Sequence, residues 1–163
     1  MPITDGSWSR ASPERAPPSA SRYQSSQRII PRRSRMNDHA RVILVADDDE
    51  DILDLVCLTL EQAGHETIRA ADGEEALRLV LRHRPDACVL DVVMPKRTGL
   101  EIIEVLRDTE ETSDIPILLL TATIREQYLP PGVEKSGKGY LRKPFSPREL
   151  QERVAWILDP RDR

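Results

Sequence analysis

The sequence predicts an α/β fold, a doubly wound five-stranded parallel sheet with helices on both faces. Three observations predict it. From Arg41 onward, short apolar runs alternate with amphipathic helical stretches over about 120 residues, the pattern of repeated βαβ units. The first, third and fourth runs are apolar along their length, as parallel strands covered on both faces must be. Four of the runs also end in polar groups, which collects chemistry at the carboxyl ends of the strands, where open parallel sheets place their ligand sites.

The first strand, 42–46, runs into Asp47-Asp48-Asp49-Glu50-Asp51. A helix near 51–63 follows, with Ile52, Leu55, Val56 and Leu60 on one face and Gly64 as its stop. Asp49, Glu50 and Asp51 favour its N-terminus through the helix dipole. The second strand, 67–70, is short and half polar. The next helix, 73–83, sets Ala76/Val80 and Leu77/Leu81 one turn apart, and Pro85 ends it. Strand three, 86–90, delivers Asp91, with Met94-Pro95 and Gly99 beyond. A helix from Thr98 to Arg107 carries Leu100, Ile103 and Leu106. Strand four, 116–121, ends in Thr121-Ala122.

A fourth helix is due between Thr123 and Lys138, but Pro130-Pro131-Gly132 sits in its middle. Proline inside a helix costs about 3 kcal/mol or more, so this helix is expected to be shortened or irregular. Strand five, 139–142, ends in Lys143-Pro144-Phe145. The last helix starts after Ser146, its N-cap, with Pro147 at the first helical position and Glu149 at the third, and buries Leu150, Val154, Ile157 and Leu158. Strands two and five are the shorter and more polar ones, which suits sheet edges. The flavodoxin-like order 2-1-3-4-5 puts them there, and its switch point falls between strands one and three, flanked by Asp47-Asp48 and Asp91.

At 163 residues the chain holds one domain with length to spare, and scarce aromatics imply an aliphatic core. No apolar run approaches the roughly 18 residues of a membrane span or resembles a secretory signal. Cys57 and Cys88 lie in apolar stretches without metal-ligand spacing and read as buried free thiols of a reducing, cytoplasmic setting. Residues 1–40, rich in Ser, Pro and Arg without apolar period, read as a disordered arm; 41–160 form the folded domain and 161–163 a tail. The arm suits an electrostatic tether for an anionic partner, while Pro17-Pro18 opposes a transit peptide. A plainer reading starts translation at Met36. Seven Arg against Asp5 and Glu14 give residues 1–35 about +5, leaving about −9 of the net −4 for the rest. So acidic a body is not expected to bind nucleic acid directly. Arg in excess of Lys fits a GC-rich bacterial genome.

Several carboxylates at one sheet edge repel one another, on the order of 3 kcal/mol per pair at about 5 Å and an effective dielectric near 20. A cation relieves this, and Mg²⁺ fits: it takes one or two carboxylates, keeps waters and leaves room for a phosphate oxygen. Lys143 adds an ammonium opposite and Thr121 a hydroxyl. Metal, ammonium and hydroxyl around a nucleophilic carboxylate suit in-line phosphoryl transfer, where positioning and charge neutralisation do most of the catalysis.

Four motifs in register, Ile43-Leu44-Val45-Ala46-Asp47-Asp48, Asp91-Val92-Val93-Met94-Pro95 with Gly99, Leu120-Thr121-Ala122, and Gly139-Tyr140-Leu141-Arg142-Lys143-Pro144-Phe145, resemble the receiver domain of two-component response regulators over residues 41–159. The resemblance implies Asp91 as phosphoacceptor, taking a phosphoryl group from the phosphohistidine of a sensor histidine kinase or phosphotransfer protein. It implies Mg²⁺ held directly by Asp48 and Asp91, by Asp47 through water and by the Val93 carbonyl. Thr121 would donate to a phosphoryl oxygen and move toward it, Tyr140 would turn inward into the vacated space, Lys143 would pair with the phosphoryl group, and the bond to Pro144 would be cis. The positions two after Asp91 and two after Thr121 tune hydrolysis in that family; here they are Val93 and Thr123, and Val93 offers no group to orient a water, so a long-lived phosphoryl state is expected.

Taken singly, each residue has a bland reading: an acidic loop, ordinary strand residues, a surface lysine. Their convergence on one edge favours the functional one. The expected protein is a single-domain switch, monomeric or dimerising on phosphorylation, that catalyses its own phosphoryl transfer and dephosphorylation without being a turnover enzyme. A receiver-like adaptor that is never phosphorylated is the alternative, though acceptor, acid pair and lysine are all present. A haloacid-dehalogenase-type phosphatase needs Asp-x-Asp after the first strand, and a flavodoxin needs a Ser/Thr/Gly phosphate loop where this chain is acidic.

Overall fold

The computed structural model describes residues 40–122 and 139–159. Their elements run β1 (Val42–Ala46), α1 (Glu50–Gln62), β2 (Glu66–Ala70), α2 (Gly73–His83), β3 (Ala87–Asp91), α3 (Gly99–Asp108), β4 (Ile117–Thr121), β5 (Tyr140–Arg142) and α4 (Pro147–Leu158). All strands are parallel, in the expected order β2-β1-β3-β4-β5. The arm, the residues after Asp159 and the interrupted helix expected over 123–138 lie outside the described residues.

Strand alternation splits the core in two. Leu44, Ala46, Cys88, Leu90, Ile117 and Leu119 face α2 and α3. Ile43, Val45, Val89, Leu118, Leu120 and Leu141 face α1 and α4. β3 and β4 are therefore apolar at every position before their polar last residue, as expected for strands covered on both faces. Register aligns the strand ends: Ala46 lies opposite Ala70 and Leu90, Asp91 opposite Leu120, and Thr121 opposite Arg142. Asp47, Asp91, Thr121 and Lys143 thus arrive at one edge as a consequence of pairing.

Caps set where the helices start. Asp49 accepts from the Asp51 and Ile52 N–H groups at the head of α1. Ser146 and Glu149 form the expected capping box of α4, with Pro147 in the first turn. Thr98 and Glu101 form a second box on α3. On α1 the buried face is Leu53, Val56, Cys57, Thr59 and Leu60, with Leu55 exposed. Leu81 on α2 is likewise exposed, and α3 buries Ile102 where Leu100 is half-buried. Periodicity alone thus picks Leu55 and Leu100 where the structure buries Leu53 and Ile102, two positions away, and on α4 the structure buries Leu150, Val154 and Ile157 but leaves Leu158 half-buried.

Candidate functional site

Asp47 extends β1 by one residue; its side chain is buried, and its Oδ1 accepts from the Asp49 N–H at 3.0 Å. Asp91 closes β3, also buried, and its Oδ2 accepts from the Val93 N–H at 2.7 Å. Asp48 is exposed beside them. One carboxylate oxygen from each of Asp47, Asp48 and Asp91 lies within 4.8 Å of the others. Lys143 stands across them, its Nζ 2.6 Å from Asp47 Oδ2 and 2.7 Å from Asp91 Oδ1.

The Lys143 backbone is anchored as well. Its N–H donates to the Thr121 carbonyl at 2.8 Å, and the Lys143–Pro144 bond is cis, as expected. Thr121 is buried at the end of β4. Tyr140 is half-buried at the start of β5 and packs against the α2–α3 side of the core. The expected site residues among the described ones, Tyr140 apart, therefore surround the carboxyl edge of β1, β3, β4 and β5; Tyr140 stands opposite Leu119, at the other end of β5, and Thr123 lies outside the described residues.

Charge balance at the site is uneven. Burial pushes the Asp47 carboxyl above its ordinary value, and the Lys143 ammonium and the Asp49 N–H offset this only in part. Burial works to lower Lys143, but the Asp47 and Asp91 carboxylates outweigh it and hold the ammonium above its ordinary value. Three carboxylates against one ammonium leave an excess of negative charge in a set of hard oxygen donors. Such a set suits a small divalent cation better than a thiophilic metal.

The loop leaving Asp91 is tied down along its length. Val92 N–H donates to the Leu120 carbonyl, and Gly99 N–H returns to the Val92 carbonyl, both at 3.0 Å. A Cβ on Gly99 would meet the Asp91 carbonyl oxygen at 2.3 Å, so only glycine permits this approach. Mid-loop, Lys96 adopts φ +66° and sets its Nζ 2.6 Å from Asp72 Oδ2, at the head of α2. Sequence reading missed Asp72, Gly73 and Lys96. The Asp-Gly pair after β2 marks only a helix start, and its partner lies 24 residues on.

A family profile described as the response regulator receiver domain matches residues 43–155. The alkaline phosphatase synthesis transcriptional regulatory protein of Bacillus subtilis is 45% identical over 116 residues, covering 71% of this chain and 48% of that protein. The phosphate regulon transcriptional regulatory protein of Pseudomonas aeruginosa is 36% identical over 118 residues, covering 72% and 52%. The chain spans about half the length of these curated relatives. Among solved structures, a chemotaxis response regulator of Vibrio cholerae superposes with TM-score 0.63 at 34% identity, covering 72% of this chain and 98% of its own. The receiver domain of a Francisella response regulator gives 0.64 at 33%, covering 72% and 96%.

Proposed function

The chain belongs to the response regulator receiver family, and from that premise we propose that Asp91 accepts a phosphoryl group in a Mg²⁺-dependent reaction and thereby switches protein–protein contacts. One observation carries the reading: Asp47, Asp48 and Asp91 gather their oxygens within 4.8 Å while Lys143 bridges two of them. So much like charge on one edge is unfavourable for the fold and suits a ligand that brings its own cation.

In this reading a carboxylate oxygen of Asp91 attacks the phosphorus of a phosphohistidine. The P–O bond forms as the P–N bond breaks, and the histidine nitrogen leaves with the electron pair. Asp48, Asp91 and the Val93 carbonyl, with Asp47 through water, would hold Mg²⁺, which would supply positive charge to the phosphoryl oxygens. Lys143 exchanges its bond to Asp91 for one to the phosphoryl group, which keeps the ammonium paired on both sides of the reaction. The Val93 N–H steadies the acceptor carboxylate. Thr121 follows the phosphoryl group, and Tyr140, already half-buried, turns inward behind it. Val93 is 74% exposed at the mouth and has no polar side-chain atom, which supports slow hydrolysis of the aspartyl phosphate.

The donor is a sensor histidine kinase or a histidine phosphotransfer protein, and the chain acts in the cytoplasm as a phosphoacceptor that promotes its own phosphorylation and dephosphorylation. Among the described residues no helix is long and apolar enough to cross a membrane. The acidic balance of the folded region supports output through protein contact. Intact mass after incubation with Mg²⁺ and a small acyl phosphate tests the acceptor: one phosphoryl adduct in the parent chain and none in Asp91→Ala. A parent that takes no adduct from acyl phosphate or from a phosphorylated kinase leaves the receiver-like adaptor in its place.

A further inference from the structure

We infer that Asp72 and Gly73, at the head of α2, are positioning residues for the metal and phosphoacceptor site, acting through the loop that leaves Asp91; this rests on the proposed role of Asp91 and the acidic cluster. Neither residue touches that cluster. What they touch is the middle of the loop whose first residues serve it.

Three ties connect α2 to the loop. Gly73 N–H donates to the Pro95 carbonyl at 3.3 Å. Asp72 Oδ2 takes the Lys96 ammonium at 2.6 Å, while its Oδ1 caps α2 by accepting from the Glu75 N–H at 2.9 Å. Arg97 Nε lies 3.5 Å from Glu74 Oε2. Gly73 is buried against the loop so closely that a Cβ would meet the Arg97 carbonyl oxygen at 1.8 Å. Lys96 meanwhile holds a left-handed φ of +66°, a conformation a lysine keeps only where its surroundings impose it.

The loop has little freedom left. At its start, Val93 N–H holds Asp91 Oδ2; at its end, the Thr98 capping box and Gly99 lock it onto α3. Pro95 to Arg97 is the span between, and the clasp on α2 is what fixes it. Val93 turns its backbone N–H to the acceptor, and in the proposed reading its carbonyl would serve the metal. Its orientation therefore depends on where Pro95 to Arg97 sits, and hence on the head of α2.

The clasp can be loosened without removing α2, because asparagine caps a helix as well as aspartate does. Asp72→Asn, Lys96→Gln and the double variant are compared with the parent by Mg²⁺ titration calorimetry, by amide exchange of Val93, Arg97 and Gly99 in metal-free protein, and by melting temperature. For an exposed pair, Mg²⁺ binding about threefold weaker and exchange about threefold faster are expected in each single variant at nearly unchanged melting temperature. The double variant should be no worse than either single one. Gly73→Ala should cost about tenfold or more in Mg²⁺ affinity, since a backbone must move to admit the methyl group. Mg²⁺ affinity and exchange unchanged in Asp72→Asn and Lys96→Gln, or losses that simply add in the double variant, overturn the inference. A parent chain that binds Mg²⁺ but takes no phosphoryl adduct overturns the acceptor reading and leaves the positioning result standing. A parent that binds no Mg²⁺ overturns both.

Discussion

Lys143 and Lys96 each bring an ammonium 2.6 Å from an aspartate oxygen, in opposite surroundings. The Lys143 side chain is 18% exposed and its partner Asp47 fully buried, whereas Lys96 is 62% exposed and its partner Asp72 is 18% exposed. Equal distances therefore do not mean equal energies. In the cradle, desolvation is the largest single influence on each partner; it prevails at Asp47, whereas at Lys143 the two carboxylates outweigh it. In the clasp, water screens the pair, and its hydrogen bond to Lys96 simply holds Asp72 below its ordinary value. In the proposed reading the cradle is organised for a ligand to complete; the clasp is complete as it stands.

The largest expected contrast comes from removing each ammonium. Lys143→Met should destabilise the metal-free protein by about 3 kcal/mol in urea unfolding, because it strands buried carboxylates. It should also slow phosphorylation by acyl phosphate about a hundredfold or more. Lys96→Met should barely move the unfolding midpoint; equal losses in the two variants would erase the distinction. Next in size is the cation itself. Mg²⁺ at about a hundred times its dissociation constant should stabilise the parent by about 2.7 kcal/mol. Asp48→Asn should lose most of that gain and Asp72→Asn little of it, as denaturant midpoints with and without Mg²⁺ will show.

Acid separates the two aspartates by sign. Asp47 binds its proton more tightly in the folded state, so stability rises as pH falls through its raised value toward the ordinary 3.8. Asp72 is depressed, first by Lys96 and then by the Glu75 N–H. Its contribution is fully present above 3.8 and is lost as pH falls from there through its lowered folded value. In unfolding midpoints followed against pH in chelator, Asp47→Asn should remove the rise above 3.8, and Asp72→Asn part of the loss below it. The reverse assignment would sink the contrast. Smallest is the rim: Val93→Asn should shorten the phosphoryl lifetime several-fold by offering a group that orients water, and an unchanged decay in a mass-spectrometric time course would count against that account.

Much of this was legible in the sequence for a physical reason. Strands covered on both faces must be apolar throughout, so Val42–Ala46, Ala87–Leu90 and Ile117–Leu120 stand out, and the polar residues ending them stand out with them. Edge polarity then ordered the sheet. Less legible was anything set by distant packing. Leu53 and Leu55 are both apolar and lie on different sides of α1, and only the position of the sheet decides that Leu53 is the one buried. The clasp was illegible for the same reason. Asp72 reads as one more helix cap and Lys96 as one more surface lysine, until β2 and β3 bring the two loops side by side.

The last helix has a consequence for how the protein is made. α4 packs beside α1, with Gln151 Nε2 donating to the Thr59 carbonyl at 3.3 Å, and together they cover Ile43, Val45 and Val89. A ribosome has therefore finished nearly the whole domain before this side of the sheet can close. At about 5–20 residues per second, the apolar surface of β1 waits several seconds for the residues that shelter it. During that interval the nascent chain exposes its oldest strand to chaperones and to other chains. A stop before Leu150 would make the wait permanent, leaving Val56 and Leu60 of α1 open on a polypeptide that already carries every residue of the proposed acceptor site.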